Sequence, residues 1–421
     1  MSDFKRIKLK YLVEIPIQTG ASEASNFYDT RQYRYIRISD FDEDGKIREE
    51  KKVSCPKIGN EKYELVKGDL LYAVTGATVG KSLVFDIDEP SCYAGYLARV
   101  RTNKSVLNNY FLFYFSQSAD FDKWRKSHIN VSTIENIGAR NYSNMEVRLP
   151  SIPQQEIIVS FLENKTKLID ALINSQSQQI EKLKEYKQSV ISNAVTKGLN
   201  SDEPMKDSAI EWIGKIPVGW EVKPLKNIFS IKRGSLDKNL NENEVSVKLV
   251  QYTAIYNNSK LETREPLLNI TATRKEISDA SVNYGDLLMT ASSETADDIG
   301  HTSLISLTDD DLVFGSDVIR LKTNDIDFEY RQYILENKYH LDMLTSYCRG
   351  ITRFRFSMDD FGKHKWIVPS KEDQIKIAKH LNLVSSNVIS LIEQKNQKIE
   401  KLQEYKKSLI YEYVTGKKEV A

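Results

Sequence analysis

The segment TGATVGKS, Thr75 to Ser82, contains residues that a phosphate-binding loop would need: two glycines followed by a lysine and a serine. A Walker A loop has four residues between its glycines, which lets the backbone N–H groups surround a phosphate. Here three residues separate Gly76 from Gly80, and no convincing Walker B strand follows. We therefore predict a turn between two strands, with Thr78 and Lys81 exposed, rather than a nucleotide site.

Other residues that could support catalysis are sparse. The five histidines are dispersed, and each is better explained as a surface or core residue than as a catalyst. We find no motif of an adenine methyltransferase, a serine hydrolase or a zinc protease. Cys55, Cys92 and Cys348 form no CxxC pair and no Cys/His cluster. This argues against a disulfide framework or a structural zinc and fits a reducing cytoplasm.

Basic and aromatic residues alternate in CRGITRFRFS, Cys348 to Ser357. Arginine can hold a phosphate or pair with guanine in the DNA major groove. The sequence is internally duplicated, and the segment of its first half that corresponds to this one, His128 to Ser143, is polar and carries Arg140. We expect both segments to form loops just before the last strand of their domains. The pattern is equally consistent with surface loops whose arginines form ion pairs.

The strongest signal in the sequence is an internal duplication. IEKLKEYKQSVISNAVT, Ile180 to Thr196, matches IEKLQEYKKSLIYEYVT, Ile399 to Thr415, at most positions and at an offset of 219 residues. Weaker matches continue upstream in the same order, such as GDLL at Gly68 to Leu71 and at Gly285 to Leu288. The repeated unit of about 200 residues is too long for a solenoid repeat. The helical ends are near copies, whereas the rest shares only a skeleton. A common partner for the helices and different targets for the domains would explain this, as would unequal drift.

Strand-like runs dominate the first part of each half, and helical runs dominate the second. Pro153 to Lys197 is predicted to form one long helix that ends at Gly198. Apolar positions with polar interruptions follow heptad spacing in this helix and in its repeat. These positions are Ile173, Gln176, Ile180, Leu183, Lys187, Val190 and Ala194, and then Ile392, Lys395, Ile399, Leu402, Lys406, Leu409 and Tyr413. We predict a coiled coil between the two helices, in preference to helices lying on a globular core.

The composition is globular, with 421 residues, 40% of them hydrophobic and 28% charged, which is enough for two or three domains. The formal net charge of +1 neither favours nor excludes nucleic acid, because 60 basic and 59 acidic residues can lie on separate faces. No apolar run approaches the roughly 18 residues of a membrane span. The N-terminus has no signal-peptide core, so we expect a cytoplasmic protein.

The duplicated halves, the GDLL motif, the GATVGK turn, the opening IEWIGKIPVGW and the IEKLxEYKxSxI helices together resemble the specificity subunit of type I restriction-modification systems. The resemblance covers essentially the whole chain. It implies an α+β fold with pseudo-two-fold duplication, in which two long antiparallel helices form a coiled coil that joins two mixed α/β target-recognition domains. The implied segments are 1–150 and 207–368 for the recognition domains, 151–206 for the central helix and linker, and 369–421 for the C-terminal helix.

The resemblance also implies a function in bacteria or archaea. Each recognition domain would bind one half of a bipartite, asymmetric DNA site, and the helices would dock two modification subunits. Those subunits would carry S-adenosylmethionine and methylate adenine N6, and restriction subunits would add ATP- and Mg-dependent translocation and cleavage. The chain itself would be non-catalytic and would bind no cofactor. A coiled-coil scaffold without a DNA role is the alternative, while length and missing motifs argue against a single-chain enzyme.

Candidate contacts follow from matching positions. The second-half turn SSETADDIGHTS lacks the lysine of GATVGK, so the contacts of the two turns are expected to differ. The residues predicted to face DNA are Thr78, Lys81, Ser132, Thr133, Arg140, Arg349, Thr352, Arg353 and Arg355. The residues predicted to face the partner, at the helix ends and outer faces, are Tyr186, Lys187, Tyr405 and Lys406.

Overall fold

The computed structural model describes residues 4–24, 27–41, 47–131, 135–237, 240–265, 267–296 and 298–420. The chain divides into two compact units. Unit 1 is Met1–Ser177 with Asn396–Ala421, and unit 2 is Gln178–Lys395. The division falls inside both long helices, so each unit combines one α/β domain with a segment of each helix. The domain boundaries given above stay predictions.

The elements of unit 1 begin with a short strand and end in the first long helix. In chain order they are β1 (Lys5–Lys8), β2 (Gln18–Thr19), β3 (Tyr33–Ile36), β4 (Ser54–Cys55), β5 (Leu70–Ala73), β6 (Ser82–Val84), β7 (Ser91–Tyr93), β8 (Leu97–Val100), α1 (Asn109–Phe115), α2 (Ala119–His128), β9 (Asn130–Val131), β10 (Glu135–Asn136), α3 (Ala139–Asn144), β11 (Glu146–Leu149) and α4 (Ile152–Lys197). Single turns of 3₁₀ helix lie at Leu9–Tyr11, Ile38–Asp40 and Glu61–Tyr63.

The strands of unit 1 form small sheets of order β2-β8-β5-β6 and β4-β3-β7, together with the pairs β1-β11 and β9-β10. Every residue of β5 and β8 is buried, as expected for central strands that are covered on both faces. The antiparallel pair β1-β11 places Lys5 opposite Leu149, just before α4 begins. The first and last strands of the domain therefore meet at the base of the helix.

The elements of unit 2 follow the same plan after a linker hairpin. They are β12 (Met205–Asp207), β13 (Lys215–Pro217), β14 (Glu221–Pro224), α5 (Leu225–Ile228), β15 (Ser230–Arg233), β16 (Val245–Val250), α6 (Tyr252–Asn257), β17 (Lys260–Leu261), β18 (Leu268–Ala272), α7 (Arg274–Ala280), β19 (Leu287–Thr290), β20 (Ser292–Ser293), β21 (Thr302–Ile305), β22 (Leu312–Phe314), β23 (Val318–Lys322), α8 (Arg331–Ile334), α9 (Lys338–Tyr347), β24 (Phe354–Arg355), α10 (Met358–Lys363), β25 (Lys365–Val368) and α11 (Lys371–Val414).

The sheets of unit 2 have the orders β15-β23-β19-β21-β17 and β18-β16-β22, with the pairs β12-β13, β14-β25 and β20-β24. The pair β14-β25 places Glu221 opposite Val368, just before α11, and so repeats the closure by β1 and β11. The sequence prediction of a duplicated mixed α/β fold is confirmed. Strand-like runs are predicted to dominate the first part of this half, and the structure adds the helix α6 there, between the strands β16 and β17.

The two long helices are confirmed: α4 has 46 residues and α11 has 44. Within unit 1 their segments run antiparallel, with Phe161 against Tyr413 at a ring-centroid distance of 4.5 Å and Asp170 paired with Lys406. All the predicted heptad positions are buried or half-buried. Gly198 has φ +77° and ends α4, as predicted.

The helix segments also pack on the domain cores, which the preference for a coiled coil alone did not anticipate. In unit 1, Leu162 and Ile410 share a hydrophobic cluster with Phe111 and Tyr142. In unit 2, Ile191 and Leu381 belong to a cluster with Trp220 and Trp366. Each helix segment therefore serves as a wall of its domain as well as a partner of the other helix.

Each long helix begins with one buried glutamine that fixes the helix on its domain. The Gln155 amide donates to the carbonyl oxygens of Val106 and Pro150 at 3.0 and 2.9 Å and accepts from the Asn108 amide at 2.7 Å. Gln374, 219 positions later, donates to Pro369 at 2.9 Å and accepts from Asp327 at 2.7 Å. Because buried polar groups are costly unless they are satisfied, these bonds orient each helix on its domain.

The GDLL motif forms the same turn in both units. Gly68 and Gly285 have φ +95° and +86°, a region that side chains rarely adopt. The carboxylates that follow, Asp69 and Asp286, each accept the amide three residues upstream, at 3.0 and 2.9 Å. Burial raises the pKa of Asp286. The motif is therefore a structural turn that leads into the buried strands β5 and β19.

Candidate nucleic-acid interface

The GATVGK segment is a tight turn between β5 and β6, as predicted. Its ends are joined by the amide of Gly80 donating to Ala73 at 2.9 Å and the amide of Ala73 donating to Lys81 at 2.8 Å. A side chain at Gly80, where φ is +88°, would lie 2.3 Å from Arg125. The turn therefore packs directly on α2. Thr78 is exposed as predicted, whereas Lys81 is half-buried rather than exposed, because it lies where the turn joins β6.

An open groove of about 530 Å³ lies beside this turn in unit 1. Thr78, Lys81, Arg125 and Lys407 line it, together with the carboxylate of Asp122. The Asp122 carboxylate is already occupied by the guanidinium of Arg125, at 2.7 Å. The groove therefore presents an excess of positive charge next to the predicted DNA-facing residues.

Four of the predicted DNA-facing cations are unpaired. Within the described part of the chain, the side chains of Lys81, Arg140, Arg349 and Arg355 form no hydrogen bond or ion pair. An unpaired surface cation can bind a phosphate without first breaking an internal ion pair. The alternative that the arginine segment is a surface loop held by ion pairs therefore does not apply to Arg349 and Arg355.

Residues 349–355, which we call the arginine hairpin, form a closed structure in unit 2. The amides of Arg349 and Arg355 donate to each other's carbonyl oxygen, at 2.8 and 3.0 Å. The strand β24 pairs with β20, and Phe356 beyond it is buried. Arg353 differs from its neighbours, because its guanidinium contacts Asp317 at 2.6 Å and Ser292 at 3.0 Å. Thr352 is exposed.

The corresponding segment of unit 1 is more structured than a loop. Arg140 lies on the helix α3. Tyr142, two residues later on the same helix, is buried and stacks on Tyr72 at 4.7 Å between ring centroids, which holds the helix on the domain. The strands β9 and β10 pair on either side of residues 132–134. The predicted contacts Ser132 and Thr133 lie outside the described residues.

The predicted partner-facing residues divide into two types. Tyr186 and Tyr405 are equivalent positions in the duplication, and each is 55% exposed. Lys187 is paired with Glu336 at 3.0 Å, and Lys406 is paired with Asp170 at 2.6 Å. The lysines therefore take part in packing within their own units, while the tyrosines remain available on the helix surface.

Sequence reasoning missed a second groove in unit 2, of about 540 Å³. Gln251, Tyr252 and Thr253 at the start of α6 line it, together with Asp317 and Arg353. These three residues lie in the first part of the second half, where the sequence pattern predicts mainly strands. Only their polarity after the apolar strand β16 could have indicated an exposed position.

The described residues contain no group of three or more His, Cys, Asp or Glu side chains that could hold a metal ion. In the same part of the chain, no helix has the length and apolar character needed to cross a membrane. Unit 1 has a cationic turn beside a cationic groove. Unit 2 has a cationic hairpin beside a polar groove whose charged lining residues are Asp237, Asp317 and Arg353.

The protein thus contains two copies of one α/β domain, and each copy carries unpaired cations. A tandem protein of this class is suited to binding a polyanion at two places. The family model for the type I restriction modification DNA specificity domain matches residues 1–182 and again residues 217–401. The chain therefore belongs to the family of type I restriction-modification DNA-specificity subunits. The repeated match fits recognition of a bipartite site. The resemblance found in the sequence is thereby confirmed.

Curated relatives agree with this assignment. A putative type I restriction enzyme MjaX specificity subunit of Methanocaldococcus jannaschii is 26% identical over 436 residues, covering 99% of this chain and 93% of the relative. The type I restriction enzyme MjaVIII specificity subunit of the same organism is 22% identical over 368 residues, covering 86% and 81%.

Solved structures share the fold. A chain from a study of complex assembly and conformational transition of the type I R-M system has a TM-score of 0.73 at 14% identity, with 98% of each chain covered. The HsdS subunit from Thermoanaerobacter tengcongensis has a TM-score of 0.51 at 15% identity, covering 98% of this chain and 97% of that one. At this low identity the likeness concerns the fold and not the individual contacts.

Proposed function

We propose that each unit binds one half of a bipartite, asymmetric site on double-stranded DNA. The observation that carries this proposal is the set of unpaired cations, with Lys81 and Arg140 in unit 1 and Arg349 and Arg355 in unit 2. Phosphate contacts set the position of a protein on the duplex, and contacts with base edges specify the sequence. The cations would supply the first kind of contact. Polar residues near them, including Thr78 and Thr352, would supply part of the second.

Arg353 would act differently from the other arginines. Its contacts with Asp317 and Ser292 hold it in the wall of the groove in unit 2. A guanidinium whose orientation is already fixed loses little freedom when it pairs with a base, and bidentate pairing with guanine depends on orientation. We therefore assign Arg353 to base recognition, and Arg349 and Arg355 to phosphate contacts.

The long helices would dock two modification subunits. The helical segments of the two halves are near copies, so they offer the same surface twice. Tyr186 and Tyr405 are equally exposed on that surface, and tyrosine is enriched in protein interfaces because it combines an apolar ring with a hydroxyl. Two copies of one partner would bind these equivalent positions.

In this arrangement the chemistry belongs to the partners. The modification subunits would bind S-adenosylmethionine and methylate adenine N6, and restriction subunits would use ATP and Mg to translocate and cut DNA. Adenine inside a duplex must be flipped out before it can react, so this chain would hold the duplex while the partner extracts the base. The chain would itself be non-catalytic, bind no cofactor and act in the cytoplasm of a bacterial or archaeal cell.

The experiment is methylome sequencing of a host that expresses the modification subunit with or without this chain. We expect a split motif, methylated at adenine on both strands, only when the chain is present. A chain with Arg349 and Arg355 both replaced by Gln should lose methylation at that motif, while Arg264→Gln, at a cation paired with Asp309 and Asp311, should keep it. Unchanged methylation without the chain, with the modification subunit expressed, would instead favour a scaffold role.

A further inference from the structure

The tip of the arginine hairpin carries an apolar side chain that is almost fully exposed instead of packing on the domain. Ile351 is 94% exposed, more than any other large hydrophobic residue in the described part of the protein. It lies between Arg349 and Arg355, both unpaired. Single exposed apolar residues are common on protein surfaces and need no explanation by themselves. The position of this one, at the end of a rigid and cationic hairpin, is what requires an explanation.

The hairpin is built to hold its tip in one place. A Cβ atom at Gly350, where φ is +144°, would lie 2.1 Å from the carbonyl oxygen of Arg353, so only glycine fits this close approach. Pairing between Arg349 and Arg355 closes the loop. Arg353 ties it to Asp317 at 2.6 Å. A fixed loop loses little conformational entropy on binding, so a contact made by Ile351 would contribute nearly in full.

The width of the hairpin is compatible with the major groove. Arg349 and Arg355 form a hydrogen-bonded pair, so their Cα atoms are about 5.5 Å apart and their side chains leave the ribbon on the same face. A two-stranded ribbon fits the major groove of DNA, which is about 12 Å wide. With the ribbon in the major groove, the two guanidiniums can reach phosphates while the tip meets the base edges.

We propose that Ile351 contacts the 5-methyl group of a thymine in the major groove of the half-site that unit 2 binds. The thymine methyl is the one apolar group on the major-groove edge of the four bases, and apolar side chains recognise it. This inference rests on the proposed function and deepens it, because it assigns one base contact to one residue. The contact would favour T over C and over uracil at a single position of the half-site.

The test combines Ile351→Ala with removal of the methyl group from DNA. The wild-type chain, in complex with its modification subunit, is titrated with duplexes in which each thymine of the mapped half-site is replaced in turn by deoxyuridine. Loss of one buried methyl should weaken binding about fourfold at one position and leave the others unchanged. Ile351→Ala should weaken binding about tenfold on the thymine duplex and abolish the difference between thymine and deoxyuridine.

The matched control is Ile58→Ala in unit 1, at an isoleucine that is 91% exposed but outside the arginine hairpin. It should keep the deoxyuridine effect in the half-site of unit 2. Both substitutions remove exposed side chains, so thermal unfolding should be unchanged and loss of folding would not imitate the result.

Three results would overturn the inference. Specific binding by the wild-type chain with no sensitivity to deoxyuridine in this half-site would refute the methyl contact alone and leave the proposed function intact. Equal weakening of every duplex by Ile351→Ala, with increased fluorescence of 2-aminopurine placed in the half-site, would indicate a wedge between bases instead. Absence of any specific binding by the wild-type complex would refute the proposed function and this inference together.

Discussion

The unpaired cations predict how steeply DNA binding by this protein should depend on the salt concentration. Each phosphate contact releases counterions and makes the slope of log K against log salt concentration more negative by about 0.9 for duplex DNA. Replacing Lys81, Arg140, Arg349 and Arg355 by Gln should therefore make the slope shallower by about 3.6 if all four bind phosphates. Binding of specific and non-specific DNA should weaken in parallel, because phosphate contacts are shared by all sequences.

The assay is fluorescence anisotropy of the complex with the modification subunit on a duplex with the mapped site, between about 50 and 200 mM salt, the range over which such contacts are resolved. Contributions from the modification subunit cancel when variants are compared. Controls are Arg31→Gln, whose guanidinium lies 2.8 Å from Asp29, and Arg264→Gln, which lies 2.6 Å from Asp309. These paired cations should leave the slope unchanged.

Two results would refute this reasoning. If the variant with all four substitutions keeps the wild-type slope, the unpaired cations do not contact phosphate. If Arg31→Gln and Arg264→Gln change the slope as much as the variants at unpaired sites, then pairing within the chain does not decide which cations bind DNA. Single substitutions would show which unit accounts for any part of the effect.

Two further predictions concern stability. Gln155→Ala should lower the free energy of unfolding of unit 1 by about 3 kcal/mol in urea titrations followed by hydrogen exchange, because it leaves buried backbone groups without partners. Replacement of the exposed Gln178 by Ala should lower that free energy little. Equal losses in the two variants would contradict this role of Gln155. Burial lowers the pKa of His340 to about 3 and of His364 to about 4, below the ordinary value of about 6.5. Folding therefore favours the neutral rings. Their contribution to the free energy of unfolding is complete above about pH 6.5 and is lost as the pH falls towards about 4 for His364 and about 3 for His340, at about 1.4 kcal/mol per pH unit for each. His340→Phe should flatten the pH dependence of thermal unfolding, and an unchanged profile would exclude this histidine as its cause.

Much of the fold could be predicted because its signals are local or repeated. Residues 153–197 carry both heptad spacing and a terminal glycine, so the helix α4 was recognisable together with its end. The GATVGK turn was recognisable from two glycines that both adopt φ near +80° to +90°. The duplication then gave the second unit from the first. None of these steps required knowledge of which residues meet across the chain.

The remaining features depend on contacts between distant residues. Arg349, Arg353 and Arg355 are indistinguishable in sequence, yet only Arg353 faces a carboxylate, because Asp317 is brought close by the β-sheet at 36 positions' separation. Lys187 and Lys406 read as surface cations at heptad positions, but both pair with acids of their own units. Which cations stay free is decided by tertiary packing, and packing cannot be obtained from residue spacing alone.

The two halves have diverged unequally, and burial explains only some of the positions that they share. Burial accounts for the repeated Gln155 and Gln374, because any change there would leave buried groups unsatisfied. Burial does not account for Tyr186 and Tyr405, which are each 55% exposed and yet identical. Exposed positions tolerate most substitutions without loss of stability, so drift alone would have separated them. A partner that binds both helices in the same way, as proposed above, would supply the missing constraint, so the identity of these exposed tyrosines favours the proposed docking surface over unequal drift.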